Sequence, residues 1–204
     1  MTDKTKILGA TSGDDTSGLI QRQLTDRHTR NAAELDAISR AYNKHIYRAR
    51  RKGAGTAWLT DQFIRTVHYD MFGEIWEWAG KYRTGSLNIG VDFHLIPEQI
   101  KLLCDDFSYW NSDKSKMSPL EIAARLQNRL TRIHPFTNGN GRHARLITDI
   151  YFYSARLPLP KWPQIQLLSE GDQIRSRYIE AMKTADQEDY RELIAFMKEL
   201  VEST

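Results

Sequence analysis

From Asn31 to about Lys52 the apolar residues Leu35, Ile38, Tyr42, Ile46 and Ala49 recur at the spacing of one helix face, and Gly53 and Gly55 close the run. Thr60 stands where an N-cap belongs. Phe63, Val67, Met71, Ile75 and Trp78 then carry the same period onward, so a second helix is predicted as far as Gly80. The stretch KYRTGSLNIGVDFHLIPEQ changes character: Gly85, Gly90 and Pro97 punctuate short apolar pieces, which predicts a hairpin or flap. Residues 98–110 return to helical patterning. Ser118 and Glu121 form a capping box with Pro119 at the first helical position, and Ile122, Leu126, Leu130 and Ile133 make the buried stripe that follows. Pro135 disfavours helix at the residue before it, so this helix is expected to stop near His134. Leu146, Ile147, Ile150, Tyr151 and Tyr153 build another apolar helix, broken by the prolines of LPLPKWP. Two further helical patterns cover residues 171–185 and the run Tyr190, Leu193, Ile194, Met197, Val201.

The predicted class is all-α with one small β-hairpin flap. The chain of 204 residues, 40% hydrophobic, is long enough for one buried core. Its first 18 residues are rich in Thr, Ser, Gly and Asp, so residues 1–25 are expected to be a flexible N-terminal arm and residues 26–204 a single domain. The balance of 29 basic and 26 acidic residues gives +3, without the excess expected of a surface built to neutralise phosphates, and no nucleic-acid partner is expected. The basic run RARRK sits in the last turn of the first helix, where cations suit the negative end of the helix dipole. Cys104 has no partner for an internal disulfide and is expected to be a buried thiol. Neither a signal peptide nor a membrane span is legible, so a soluble, cytoplasmic protein is expected.

Candidate chemistry concentrates in IHPFTNGNGRHAR, residues 133–145, between two helices. A tight loop entering a helix aims the free backbone N–H groups of its first turn at whatever the loop holds, and such an end favours anions. Gly139 and Gly141 lack Cβ, so they permit positive φ and let a ligand oxygen approach the backbone. Arg142 and Arg145 share a helix face and could both reach back to a polyphosphate. His134, on the far side of the loop, is placed to take a proton from an attacking hydroxyl.

This stretch resembles the signature of the Fic family, also called Fic/Doc or Fido, H-x-F-x-[D/E]-G-N-G-R-x-x-R. The likeness extends upstream through MFGEIWEWAGKYRTGSLNIG and downstream through YIEAMKTADQEDYRELIAFM, covering roughly residues 55–200. The whole chain is most similar to the branch called mobile mystery protein B. The resemblance implies transfer of AMP from ATP to a hydroxyl side chain of a target protein, with Mg²⁺ as the metal. His134 would be the general base and Phe136 the anchor of the loop. Thr137 and the anion hole of Gly139, Asn140 and Gly141 would surround the α-phosphate, with Arg142 and Arg145 on the outer phosphates. Ser86, Leu87, Asn88 and Ile89 would line up the target, at an acceptor Ser, Thr or Tyr, by strand addition. Asn138 departs from the signature: it replaces the acidic residue expected to hold Mg²⁺, and a neutral amide holds that ion weakly. Asn138 therefore leaves open a Doc-like phosphotransferase, or a silent nucleotide-binding module, beside AMP transfer.

Family members are often restrained by an inhibitory helix reading [S/T]-x-x-x-E-[G/N]. Here SRYIEA, Ser176 to Ala181, fails at its last position and is read as a chance match. Control is expected from a separate protein, as an antitoxin restrains a toxin. His143 is expected on the exposed side of its helix. His68 and His94 lack ligand spacing, Trp76 and Trp78 read as core and rim, and no chemistry is assigned to any of them.

Overall fold

A computed structural model describes residues 16–24, 26–52, 58–163, 167 and 171–202. Among them are seven α-helices: α1 (Arg27–Lys52), α2 (Asp61–Phe72), α3 (Ile96–Trp110), α4 (Pro119–Ile133), α5 (Asn140–Ser154), α6 (Gln173–Ala185) and α7 (Arg191–Glu202). A 3₁₀ turn, Phe93–Leu95, leads into α3. This is the predicted all-α class.

The caps fall where the side chains direct them. Thr60 Oγ1 accepts from Phe63 N at 3.1 Å and Ser118 Oγ from Glu121 N at 3.1 Å, each satisfying a donor that the helix start leaves open. The Glu121 carboxylate turns outward to Arg125 instead of closing the capping box.

Helix α5 lies at the centre. α1 and α2 pack on one side of it and α4 on another, with α3, α6 and α7 against α4. It is buried on almost every side from His143 to Phe152, as a helix surrounded by helices must be. Its polar residues are therefore partnered inward. Thr148 donates to Gln127 Oε1 at 2.8 Å, and Gln127 donates to the Tyr178 hydroxyl at 2.7 Å. Asp149 accepts from Trp162 Nε1 at 2.7 Å, and its burial pushes the carboxyl up to about 7. The functional loop is the entry to this central helix.

Three expectations change. The second helix ends at Phe72 rather than Gly80: Gly73 is its C-cap, its N–H donating to Tyr69 O at 2.7 Å, and the chain continues in turns. Ile75 and Trp76 stay buried in the turns that follow, so the apolar period outlasts the helix. The segment from Lys81 to Asp92 contains no strand and so no hairpin; its one ladder contact is an isolated bridge between Tyr82 and Phe136. Residues 18–20, expected to be part of the arm, are held against the chain after α2: Leu19 bridges Trp76, Ile20 N donates to Ile75 O at 2.8 Å, and Glu77 N donates to Gly18 O at 2.8 Å. Residues 1–15 of the expected arm lie outside the described residues. Cys104, expected to be buried, is half-buried, and that burial pushes its thiol up to about 11.

Candidate active site

His134 caps α4 in the left-handed conformation, φ 53° and ψ 58°, an uncommon state for a residue with a Cβ. Its N–H still donates to Leu130 O at 3.1 Å, so the helix closes on the same residue that turns the chain into the loop. The imidazole Nδ1 lies 3.3 Å from Thr131 O. A carbonyl only accepts, so Nδ1 carries the proton and Nε2 keeps its lone pair. Burial pushes the imidazole down to about 4, with the Arg83 guanidinium adding to the effect and the Thr131 bond opposing it. The ring is thus neutral near pH 7, the form that accepts a proton.

The loop is a set of side-chain ties around one apolar anchor. Phe136 is fully buried. Asn140 Oδ1 accepts from Phe136 N at 2.9 Å while its Nδ2 donates to Phe136 O at 2.8 Å. The expected anion-hole residue Asn140 therefore spends its amide on the loop, leaving only its backbone for a ligand. Gly139 has φ +76° and caps α5, and a Cβ there would meet the Phe72 ring at 2.5 Å. Gly141 is not in the positive-φ region; it sits in the first turn of α5, where only Arg145 Nη1, at 3.8 Å, approaches its open side. Thr137 is half-buried beside them.

The arginines are already engaged. Arg142 Nη1 pairs with Glu34 Oε2 at 2.7 Å and lies over the Phe72 ring, 4.8 Å from its centroid. Glu34 also accepts from Trp76 Nε1 at 2.8 Å, so a carboxylate of α1 holds this end of the loop. Arg145 is buried with Tyr178 and Asp149 close by, Tyr178 hydrogen-bonding to it, and burial lowers its pKa. Arg142 is thus tied to α1 and Arg145 to α6, each by a different partner.

Arg83 joins the loop to segment 84–91. Its Nε donates to His134 O at 2.7 Å, Nη1 to Gly85 O at 2.9 Å and Nη2 to Val91 O. One guanidinium thus closes both ends of the segment onto the carbonyl of His134. Gly90, φ +100°, lies against the same histidine: a Cβ there would meet His134 Cβ at 2.7 Å. Of the proposed target-aligning residues, Ser86, Leu87 and Asn88 are exposed and Ile89 is half-buried.

Asn138 Oδ1 accepts from Gly139 N at 2.6 Å. An uncharged amide oxygen already bonded to the loop is a poor ligand for Mg²⁺, and among the described residues no cluster of His, Cys, Asp and Glu is arranged for a metal. The residues present do not fit a protein-held Mg²⁺.

His143, expected outside, is buried; its Nε2 lies 2.9 Å from Ile64 O, and burial pushes it down to about 4. The reason is that α5 has no solvent side at that turn. Glu180, the glutamate of the SRYIEA match, is exposed and pairs with Lys183 at 2.6 Å. Glu34 and Tyr178 carry no sequence signal, since their partners are distant along the chain, and Arg83 carries none because it binds backbone carbonyls, which any residue type supplies. Among the described residues no helix is long and apolar enough to cross a membrane.

The Fic/DOC family model matches residues 58–152, which span α2 to α5 and both halves of this site. Curated relatives include the protein adenylyltransferase Fic of Drosophila mojavensis, 30% identical over 128 residues, and that of Drosophila ananassae, 32% identical over 128 residues. Each match takes in 62% of this chain and 24% of the relative, so the chain spans about a quarter of their length. Among solved structures, Fic-1 of C. elegans superposes with a TM-score of 0.68 at 23% identity, covering 85% of this chain and 49% of that one. BepC of Bartonella tribocorum, solved with bound AMPPNP, superposes with a TM-score of 0.59 at 17% identity, covering 88% of this chain and 90% of that one. The helices, the loop and its neighbours thus take up the fold of these structures, and residues 58–152 are the part of the chain that is similar to the Fic/DOC family.

Proposed function

We propose that the protein transfers AMP from ATP to a Ser, Thr or Tyr hydroxyl of a target protein. The observation that carries this reading is the state of His134: neutral, tied through Nδ1, with Nε2 left as acceptor at the end of a helix facing the entry of α5. In the step, the hydroxyl proton passes to His134 Nε2 as the oxygen attacks the α-phosphorus. The new P–O bond forms as the bond to the β-phosphate oxygen breaks, and pyrophosphate leaves. The backbone of Gly139, Asn140 and Gly141, at the uncapped start of α5, receives the α-phosphate, with Thr137 beside it. Arg142 and Arg145 hold the outer phosphates, each with the planar donor fork of a guanidinium. Segment 86–89 presents its backbone to the target, and its exposure suits that role.

Mg²⁺ would arrive bound to the nucleotide, since Asn138 offers no charged oxygen. The resemblance to the mobile mystery protein B branch supports control by a separate antitoxin-like protein, and ATP as substrate suits a cytoplasmic site of action. The test is incubation of target lysate with ATP labelled at the α- or the γ-phosphate. Label from the α-position that disappears in His134→Ala supports the reading. Label from the γ-position alone replaces it with phosphorylation, and no label with a silent module.

A further inference from the structure

We infer that His68 is a positioning residue of the site: it fixes the orientation of the Asn138–Gly139 peptide and so decides where the Gly139 N–H points. His68 is fully buried on α2. Its Nδ1 lies 3.0 Å from Gly80 N, and its Nε2 lies 3.0 Å from Asn138 O. An amide N–H only donates and a carbonyl only accepts, so one tautomer satisfies both: Nδ1 bare, Nε2 protonated. Burial, reinforced by neighbouring His143 and Arg142, keeps the ring neutral. The ring also stacks on Phe136, 3.6 Å between centroids and 12° between planes, which fixes its direction.

The consequence follows from peptide geometry. In a trans peptide the C=O and the N–H point opposite ways. No peptide in the described residues is cis. Drawing the Asn138 carbonyl inward to His68 therefore turns the Gly139 N–H outward, away from the core. On that side it now meets Asn138 Oδ1 at 2.6 Å, so a side-chain oxygen occupies the acceptor place that an anion's oxygen would take. Gly139, φ +76°, has the conformational freedom to let this peptide rotate, and among the described residues no other side chain is seen bonded to the Asn138 carbonyl. His68 removes that freedom. The ligand's identity as a nucleotide rests on the proposed function; the peptide's orientation does not.

The contrast that tests it is His68→Asn against His68→Gln. The asparagine Oδ1 falls near the place of Nδ1 and keeps the bond to Gly80 but reaches nothing at Asn138. The longer glutamine puts an N–H near the place of Nε2 and keeps the bond to Asn138. Hydrogen exchange at the Gly139 amide should quicken about tenfold or more in H68N and stay within about threefold of wild type in H68Q. ATP affinity, by calorimetry, should follow the same order. Equal Gly139 exchange in wild type and H68N overturns the inference. Should wild type bind no ATP, the nucleotide reading fails while the exchange contrast still decides this one. If neither variant folds, ¹⁵N shifts of histidine-labelled wild type decide: an Nε2–H tautomer held from about pH 5 to 8 upholds the inference, and an Nδ1–H tautomer removes it.

Discussion

The two halves of the site are held in different ways. The loop from His134 to Arg145 is tied residue by residue: Asn140 to both polar groups of Phe136, His68 to Asn138, Glu34 to Arg142. Segment 84–91 is exposed along its middle and fastened at its ends by the side chain of Arg83, with one backbone bond from Val91 N to Ile133 O at 3.4 Å. A site that must receive small phosphates of fixed geometry gains from the first arrangement, because misplaced donors lose most of their effect. A surface that must admit a partner's chain gains from the second, because its own backbone groups stay available. His134 belongs to both, through its Thr131 bond and through Gly90 and Arg83.

The largest effect is expected where the halves meet. His134→Ala should lower transfer by about 10²- to 10⁴-fold while leaving nucleotide affinity within about threefold, because the imidazole acts on the hydroxyl and not on the phosphates. Unchanged turnover would sink the assignment. Transfer should also rise with pH through the folded pKa of about 4 and flatten well before 7, since only the neutral ring accepts the proton.

The loop half should further show itself in acid. His134 and His143 are both pushed down to about 4, and His68 lies well below its ordinary range. Between about 4 and the unfolded value near 6.5 the unfolded chain binds more protons at these rings, so stability increases with pH across that window and is lost as pH falls. Asp149, raised to about 7, works the other way, binding its proton in the folded state and losing stability as pH rises from about 4 to 7. With His45, which burial also lowers, four rings oppose one carboxyl, so the net slope should be positive. Denaturant melts from pH 4 to 7 should show stability growing with pH, and Asp149→Asn should steepen the slope. A flat or falling profile in wild type would contradict the burial assigned to these histidines.

Much of this was legible along the chain and some was not, for reasons that particular residues show. The loop motif is local, so its residue types alone raise the expectation of an anion-binding helix entry with a base beside it. Helix periods located six of the helices closely, yet Ile75 and Trp76 remain buried past Gly73, where the helix has ended, because turns can bury side chains as well as helices do. His143 was misplaced because an amphipathic pattern presumes a solvent face, which the central helix lacks. The Glu34–Arg142 pair joins positions 108 residues apart, and no local spacing encodes such a contact.

The flap half should yield more locally. Arg83→Ala removes the bonds to Gly85, Val91 and His134 together, and amides across 84–91 should exchange about tenfold or more faster while those of 140–150 in the central helix change little. Arg83→Lys should not restore protection, since an ammonium cannot present the planar fork to three carbonyls. Equal protection in Arg83→Ala and wild type would show that the segment is held by something other than this guanidinium.

The smallest effect is expected at Asn138, and it separates the loop's charge from its shape. Asn138→Asp keeps an oxygen for the Gly139 N–H but sets a negative charge where the phosphates are proposed to sit. Without divalent cation, ATP affinity should fall, because like charges in a partly desolvated loop repel. With Mg²⁺ present the carboxylate becomes a charged oxygen ligand, the kind of group this ion prefers, and affinity should recover to wild type or beyond. Wild type, with its neutral amide, should respond less to the metal. Calorimetry of both proteins with ATP, in EDTA and across a Mg²⁺ titration, reads the difference directly. A loss in the aspartate variant that Mg²⁺ fails to reverse would mean that the amide contributes through the loop's conformation, as His68 does from the other side of the same peptide, and that its charge is irrelevant to the metal.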